Sequence, residues 1–148
     1  MLARVRQRRA RAVTTALARR RFSKKTTAYV ALGSNLGERV KNLDAGLRAI
    51  RRKVGQVEMT SLLYQSVHMG ETTSRAADQP LYLNAAVRVS TGLSPQQLAT
   101  VLQSIETEVG RSSDQRKVRN GPRVLDLDIL YFGNEIVQQV RVRAAHTL

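Results

Sequence analysis

Apolar positions recur along the chain with two spacings, one typical of strands and one typical of helices. Residues 28–32 form an apolar run of strand length that ends at the turn-forming residues 33–35, Gly-Ser-Asn. The next apolar positions are separated alternately by four and three residues, as on the buried face of an amphipathic helix. These positions are Leu36, Val40, Leu43, Leu47, Ile50 and Val54. We predict a helix over them that stops at Gly55.

The middle of the chain has the pattern of two further strands. Residues 57–64 are rich in β-compatible side chains, and a polar loop over residues 65–80 follows them. Residues 82–90 then alternate strictly, which places every second side chain on the same face of a sheet. The apolar face carries Leu83, Ala85, Val87 and Val89, and the other face carries Tyr82, Asn84, Ala86 and Arg88.

A second helix is predicted to begin at residues 94–97, Ser-Pro-Gln-Gln. The serine is a suitable N-cap, the proline fits the first helical position, and a glutamine three residues after the cap completes a capping box. Gly110 marks the end of this helix. Its buried stripe consists of Leu98, Val101, Leu102, Ile105 and Val109.

The last element predicted is a strand over residues 124–132, which Gly133 and Asn134 close as a turn. The order is therefore strand, helix, strand, strand, helix, strand. It predicts an α+β fold of the ferredoxin-like βαββαβ plan, with helices on one face of a mostly antiparallel sheet. Residues 26–148 would form this domain, and residues 1–25 would precede it as a basic extension.

The positive charge of the chain is concentrated at its N-terminus. The 148 residues include 25 Lys or Arg and 11 Asp or Glu, which gives a net charge of +14. Residues 1–25 hold ten of the basic residues and no acid, so residues 26–148 have a net charge of only +4. An Arg-rich segment without acids is typical of a mitochondrial or plastid presequence, and the cytoplasm is the alternative location. The segment could also be a solvated basic tail or an arm that contacts RNA in a ribonucleoprotein.

Several kinds of site are excluded by composition. Cysteine is absent, so disulfides, thiolate metal sites and cysteine nucleophiles are excluded, and a metal would have to bind to oxygen or histidine. His68 and His146 lack the spacing of a metal-binding pair. The phosphate-binding pattern Gly-x-x-x-x-Gly-Lys-Ser/Thr does not occur. No apolar run approaches the roughly 18–20 residues needed to cross a bilayer, so no membrane span is predicted.

Asp126 and Asp128 are the most informative pair of polar residues. Two residues apart on a strand, they would share a face at a backbone separation of about 6–7 Å. Carboxylate oxygens suit Mg²⁺, which completes its coordination with water and substrate phosphates. Asp is unfavourable in strands, and this pair is flanked by apolar residues, which favours a functional reason for it. The alternative is a pair of solvated side chains on an exposed strand face.

Other polar residues could contact a nucleotide or a heterocycle near this pair. Gln103 and Glu106 lie three apart on the second predicted helix, on a face away from its apolar stripe, where they would meet a nucleotide or only water. Asn84 offers a donor and an acceptor to an amide-like ring edge, and Tyr82 would flank that ring. The alternative is that Asn84 and Tyr82 simply belong to a solvated strand face. The loop before the aspartates carries cations that would suit a polyphosphate. The alternative is that the loop is only a solvated basic segment. These are Arg111, Arg116, Lys117, Arg119 and Arg123.

Three segments in this order resemble hydroxymethyldihydropterin pyrophosphokinase. Residues 31–37 read Ala-Leu-Gly-Ser-Asn-Leu-Gly, and residues 78–87 read Asp-Gln-Pro-Leu-Tyr-Leu-Asn-Ala-Ala-Val. Residues 121–130 read Gly-Pro-Arg-Val-Leu-Asp-Leu-Asp-Ile-Leu and are the most specific of the three. The resemblance extends roughly over residues 27–138. It implies Mg²⁺-dependent transfer of pyrophosphate from ATP to 6-hydroxymethyl-7,8-dihydropterin in folate biosynthesis, with AMP as the leaving group.

The resemblance also implies roles for individual residues. Asp126 and Asp128 would bind two Mg²⁺ ions that bridge the ATP phosphates and the pterin hydroxymethyl group, whose oxygen attacks the β-phosphorus. Together with Arg111 and Arg123 they would form the catalytic set. The residues expected along ATP are Gln103, Glu106, Arg111, Arg123 and His146. The residues expected around the pterin are Ser66, Tyr82 and Asn84.

The chain departs from the family pattern in two places. Residues 66–68 read Ser-Val-His where the family has Thr-x-Pro or Thr-Pro-Pro. The family's C-terminal segment, with an aromatic that stacks on the pterin and an arginine that contacts ATP, is expected to be missing after residue 148. This shortening favours the alternative function, an inactive structural subunit of an organellar ribosome or another ribonucleoprotein. An RNA-recognition domain on the same fold is disfavoured, because the predicted sheet has few aromatic residues that could stack on bases.

Overall fold

The computed structural model describes residues 25–67, 80–110 and 121–135. Within these ranges the chain forms five strands and two helices. In chain order they are β1 (Thr26–Ser34), α1 (Arg39–Lys53), β2 (Gly55–Thr60), β3 (Tyr64–Ser66), β4 (Tyr82–Thr91), α2 (Pro95–Val109) and β5 (Asp126–Phe132). The strand predicted over residues 57–64 is interrupted at residues 61–63 and continues as β3.

The strands form one antiparallel sheet in the order β2, β4, β1, β5, and β3 also pairs with β4. Because β2 and β3 pair with the same neighbour, they take the place of a single broken strand. The described part of the chain therefore has the predicted α+β fold of the ferredoxin-like plan. Neither of its helices is long and apolar enough to cross a bilayer.

One hydrophobic core lies between the sheet and the two helices. On β1 every second side chain is buried there, and Tyr29 on the opposite face is exposed. The strands contribute Ala28, Val30, Leu32, Val87, Val89, Leu127 and Phe132, the residue just before β5 contributes Leu125, and the helices contribute Leu43, Ala49, Ile50, Leu98, Leu102 and Ile105. Both helices therefore cover the same face of the sheet, and the other face is free of them.

The buried side of α1 differs from the predicted stripe at two positions. Leu36 precedes the helix, which begins at Arg39. Val40 is exposed, because the stripe passes through Leu43, Gly46 and Ile50 instead. A Cβ atom at Gly46 would lie 2.9 Å from a methyl carbon of Leu125. The glycine therefore allows the helix to approach this core side chain closely, a contact that the spacing of apolar residues does not reveal.

The predicted ends of α2 are confirmed. The Ser94 side chain accepts a hydrogen bond from Gln97 N–H, and the Gln97 side chain accepts one from Ser94 N–H, which completes the capping box. Pro95 is the first helical residue. Gly110 ends the helix with a φ angle of 119°, in the left-handed region that favours glycine.

Candidate functional site

Gly33 on the central strand lies between the groups of polar side chains that the sequence singled out. In the register of the sheet, Gly33 is opposite Asn84 on β4 and opposite Asp126 on β5. Two residues earlier, Ala31 is opposite Asp128. Because glycine has no side chain and alanine only a methyl group, the face without helices has a trough along β1. Asn84 forms one wall of this trough, and the two carboxylates form the other.

The trough is narrow at Gly33. A Cβ atom built there would lie 3.3 Å from Asn84 Oδ1, 3.7 Å from Tyr82 Cδ1 and 3.9 Å from Asp126 Cβ. A side chain at this position would therefore touch both walls. Gly33 is itself buried beneath these side chains, so a small molecule at this place would rest on Asn84, Tyr82 and Asp126 and would be within reach of β4 and β5 at once.

Asp126 and Asp128 share a face of β5, as predicted, and Leu127 between them is buried in the core. Asp128 is exposed, whereas Asp126 is paired with Arg123 just before the strand. Burial lowers the pKa of Arg123, but the hydrogen bond and the charge of Asp126 outweigh it, so the pKa lies above its ordinary value. Asp128 acts in the same direction. Arg123 is thus in the field of both carboxylates.

Arg123 is held in place by Asn35, to which the sequence pattern gave no role of its own. Asn35 N–H donates to the Arg123 carbonyl oxygen at 3.0 Å, and Arg123 N–H donates to Asn35 Oδ1 at 2.7 Å. Asn35 is 1% exposed. A polar residue in a sequence gives no sign that it is buried, so the available signals were its place in the Gly-Ser-Asn turn after a strand and in the motif of residues 31–37.

The residues predicted for the pterin lie together on the β4 side of the trough. Asn84 Nδ2 donates to Ser66 Oγ at 2.8 Å, which joins β4 to β3. The Tyr82 hydroxyl donates to the Gly121 carbonyl oxygen at 3.3 Å, which joins β4 to the segment before β5. The structure therefore brings Ser66, Tyr82 and Asn84 together on the side of the trough opposite Asp126.

Glu106 does not lie on the solvent face of α2, where the sequence pattern placed it beside Gln103. Glu106 is 4% exposed, and Leu127 N–H donates to its Oε1 atom at 2.8 Å. Gln103 is exposed. The prediction that these two residues share an exposed face is wrong, because the carboxylate accepts a hydrogen bond from a buried strand N–H. That strand N–H lies between Asp126 and Asp128.

The remaining predicted site residues, Arg111 and His146, lie outside the described residues. So does the basic stretch with Arg116, Lys117 and Arg119. Their predicted roles in binding ATP remain predictions.

The donor set at the trough suits magnesium. The described residues contain no group of three or more His, Cys, Asp and Glu that could enclose a metal ion. A pair of aspartates at the open side of a trough is instead the arrangement expected for an ion that takes its remaining ligands from water and phosphates. The Arg123 guanidinium lies 2.5 Å from Asp126 Oδ2, so a metal ion here would share this carboxylate with a cation of the protein. Asp126 and Asp128 would hold such an ion.

Sequence comparison matches residues 29–147 to the family model described as 7,8-dihydro-6-hydroxymethylpterin-pyrophosphokinase. A relative from Haemophilus influenzae, 2-amino-4-hydroxy-6-hydroxymethyldihydropteridine pyrophosphokinase, is 46% identical over 121 residues. That match covers 81% of this chain and 71% of the relative. The mitochondrial folate synthesis bifunctional protein of Arabidopsis thaliana is 40% identical over 117 residues, which are 79% of this chain and 20% of that protein.

Solved structures give the same fold. In a crystal structure of the Plasmodium falciparum protein HPPK-DHPS, A437G with SDX-DHP, the match has a TM-score of 0.58 at 17% identity. It covers 75% of this chain and 30% of that chain. At this identity the likeness supports the fold alone, and it agrees with the βαββαβ arrangement described above.

Proposed function

Because the chain belongs to the 7,8-dihydro-6-hydroxymethylpterin-pyrophosphokinase family, we propose that it transfers pyrophosphate from ATP to 6-hydroxymethyl-7,8-dihydropterin in folate biosynthesis. The observation that carries this proposal is the register of Asn84, Gly33 and Asp126 across three adjacent strands. It puts a group that can read a heterocycle and a group that can hold a metal ion on opposite walls of one trough. A reaction between a pterin and a metal-bound polyphosphate needs these two functions side by side.

In the proposed reaction, the hydroxymethyl oxygen of the pterin forms a bond with the β-phosphorus of ATP. The bond between that phosphorus and the oxygen that bridges the α- and β-phosphates breaks, AMP leaves, and the hydroxyl proton passes to water. Such transfers depend mainly on positioning and on neutralising charge, and they need no covalent nucleophile from the protein. The contribution of this chain is therefore to hold the two substrates in line and to balance the polyphosphate charge.

The β5 wall would receive the polyphosphate. Mg²⁺ held by Asp126 and Asp128 would neutralise phosphate charge and polarise the phosphorus–oxygen bonds. Arg123 supplies a further positive charge beside Asp126, since a guanidinium stays charged at physiological pH. Gln103 on α2, and Arg111 and His146 beyond the described residues, are proposed as further contacts to ATP.

The β4 wall would receive the pterin. Asn84 carries both a donor and an acceptor, which matches the amide-like edge of a pterin ring. Its hydrogen bond to Ser66 fixes the orientation of the amide group. Tyr82 lies against the same end of the trough and presents an aromatic side chain to the ring.

Incubation of the purified chain with ATP, MgCl₂ and 6-hydroxymethyl-7,8-dihydropterin tests the proposal, with AMP measured by chromatography. We expect AMP formation that requires the pterin. Asp126→Ala and Asp128→Ala should each lower kcat by about 100- to 1,000-fold, the range found when a group that stabilises transition-state charge is removed. Asp44→Ala is the matched control, because Asp44 is an exposed aspartate on α1 that pairs with Arg48. AMP formation that persists in both variants would contradict the assignment.

The location of the protein is a separate proposal, since residues 1–24 lie outside the described part. The Arabidopsis relative is named as mitochondrial, whereas the Haemophilus relative is bacterial. We propose organelle targeting by residues 1–25, which a fluorescent protein fused behind this segment would test by microscopy. The alternative function in a ribonucleoprotein gains no support from these relatives, because one is named as a pyrophosphokinase and the other as a folate synthesis protein.

A further inference from the structure

Asn35 is a buried amide that joins three separate segments of the chain. Its Oδ1 atom accepts a hydrogen bond from Arg123 N–H at 2.7 Å, and its own N–H donates to the Arg123 carbonyl oxygen at 3.0 Å. Its Nδ2 atom donates to the Pro80 carbonyl oxygen at 3.3 Å. Asn35 itself follows directly on β1. One side chain therefore connects the end of the central strand with the segments that precede β4 and β5.

Those two segments lead into the opposite walls of the trough. Pro80 is two residues before Tyr82 and four before Asn84, on the β4 wall. Arg123 is three residues before Asp126 and forms an ion pair with it, on the β5 wall. The amide thus contacts both walls through backbone atoms while its own side chain is 1% exposed. Asn35 therefore holds both walls in position, although its own side chain is not on the surface of the trough.

We propose that Asn35 is a positioning residue that sets the distance between the pterin wall and the metal wall. This inference rests on the proposed function, because it assigns the two walls to the two substrates of that reaction. The physical reason for an amide is that the site needs one acceptor and one donor on a short side chain. Buried hydrogen bonds of this kind also hold a unique arrangement, since leaving any partner unsatisfied is costly.

The substitutions Asn35→Ala and Asn35→Asp separate the two contacts. Alanine removes both the acceptor for Arg123 N–H and the donor to Pro80. Aspartate keeps an oxygen for Arg123 N–H but replaces the donor by a second oxygen, which repels the Pro80 carbonyl group. Asn42→Ala is the matched control, because Asn42 Nδ2 donates to Ser34 Oγ and Leu36 O in the same turn.

Hydrogen exchange of the Arg123 amide, measured by NMR, reports on the contact without any assay of activity. In Asn35→Ala we expect the Arg123 amide to exchange about tenfold faster, because it loses one buried hydrogen bond. In Asn35→Asp and Asn42→Ala the exchange rate should stay close to that of the wild type. Unchanged exchange in Asn35→Ala would refute the role of the amide at Arg123.

Steady-state kinetics then test the function of the contact. Asn35→Ala should lower kcat by about 10- to 100-fold, as for outer partners that orient a metal-binding group. Asn35→Asp should mainly raise the KM for the pterin, because the Arg123 contact is retained. Equal losses in Asn42→Ala, or normal kinetics in both Asn35 variants despite faster exchange, would overturn the proposal. If Asn35→Ala does not fold, the kinetics of Asn35→Asp decide. An effect mainly on the KM for the pterin supports the proposal, and normal kinetics overturn it.

Failure of this inference can be told apart from failure of the proposed function. If the wild-type chain forms no AMP, the proposed function fails, whatever the exchange rates are. The exchange experiment then still decides whether Asn35 holds the segment before β5. If the wild-type chain is active and the Asn35 variants behave like Asn42→Ala, only the inference fails.

Discussion

The Arg123 guanidinium Nη1 atom lies 2.5 Å from Asp126 Oδ2, and both side chains are only about one fifth exposed. The carboxylate that is proposed to hold a metal ion is thus paired with a cation of the protein itself. A half-buried carboxylate without a counter-charge would be unfavourable, and the arginine removes that cost in the absence of ligands. Mg²⁺ at Asp126 would have to share this carboxylate with Arg123. Binding of the metal ion and the position of the arginine should therefore be coupled.

The first prediction concerns this coupling. Arg123→Ala removes the guanidinium that pairs with Asp126, so the free energy of unfolding should fall by about 1–3 kcal/mol in metal-free buffer. Mg²⁺ should restore part of this loss, because the ion supplies the missing positive charge. Urea unfolding followed by circular dichroism, with and without MgCl₂, measures both quantities.

Arg48→Ala provides the comparison for Arg123→Ala. Arg48 also pairs with an aspartate, Asp44, but both of these side chains are exposed. Its loss should change stability by less than about 1 kcal/mol and show no dependence on Mg²⁺. If the stability of Arg123→Ala were equally insensitive to Mg²⁺, Asp126 would not be a metal ligand.

The second prediction distinguishes the observed role of Glu106 from the role that the sequence suggested. Its Oε1 atom accepts a hydrogen bond from the N–H of Leu127, between the two aspartates. Glu106→Gln keeps an oxygen acceptor and should retain most of the stability and most of kcat. Glu106→Ala should destabilise the fold by about 1–3 kcal/mol, because a buried N–H loses its partner. Urea unfolding and AMP formation measure the two effects.

A direct contact from the Glu106 charge to the nucleotide would give a different pattern. Glu106→Gln would then raise the KM for ATP as much as Glu106→Ala does, without a matching loss of stability. Gln103→Ala is the appropriate comparison on the same helix, because Gln103 is exposed and its replacement should leave stability nearly unchanged.

The fold could be predicted from the sequence because its signals are local. The alternation over residues 82–90 and the capping box at Ser94 each depend on neighbours within a few positions, and both are found in the structure. The pairing of strands then follows from the order of the elements. The same reasoning correctly placed Asp126 and Asp128 on one face of the last strand.

The site could be predicted only in part, because its remaining features depend on distant residues. Asn35 and Arg123 are 88 positions apart, and Glu106 and Leu127 are 21 apart, so no local pattern connects them. Helical spacing suggested a solvent-facing Glu106, since a charged residue next to an apolar stripe is normally exposed. The burial of Glu106 is explained only by the hydrogen bond that it accepts from the Leu127 N–H on β5.

The third prediction concerns acid pH. A hydrogen bond from Lys53 and the charges of Lys53 and Arg52 lower the pKa of Glu108 below its ordinary value of 4.5, with desolvation as a smaller opposing effect. A carboxyl group whose pKa is lower in the folded state stabilises the fold above its unfolded pKa. That contribution is lost as the pH falls through the folded pKa. Glu108→Gln should therefore be less stable than wild type above about pH 4.5, and the difference should vanish in stronger acid.

Urea midpoints measured between acid and neutral pH test this prediction. The difference between the two proteins should also shrink in high salt, because the Glu108 pair with Arg52 and Lys53 is exposed and therefore screened. A difference that persists unchanged into strong acid would mean that the side chain acts through packing and not through charge.

The fourth prediction concerns the width of the trough at Gly33. Gly33 is buried and a Cβ atom there would lie within 4 Å of Asn84, Tyr82 and Asp126, so Gly33→Val would push these side chains out of their places on the two walls. Valine is favourable in strands, and the fold should therefore survive the substitution. Binding of both substrates should be lost together, because one added side chain blocks both walls. Calorimetric titration with ATP and MgCl₂, and separately with the pterin, measures this.

Thr27→Val is the control for Gly33→Val, because Thr27 lies on the same strand and is exposed at the other end. Residues 27 and 33 are separated by an even number of positions, so they share a face of the sheet. The control should bind both ligands like the wild type and unfold at the same temperature or slightly above it. If Gly33→Val bound ATP normally while it rejected the pterin, the polyphosphate would lie outside the trough, and the β5 wall would have to be reassigned.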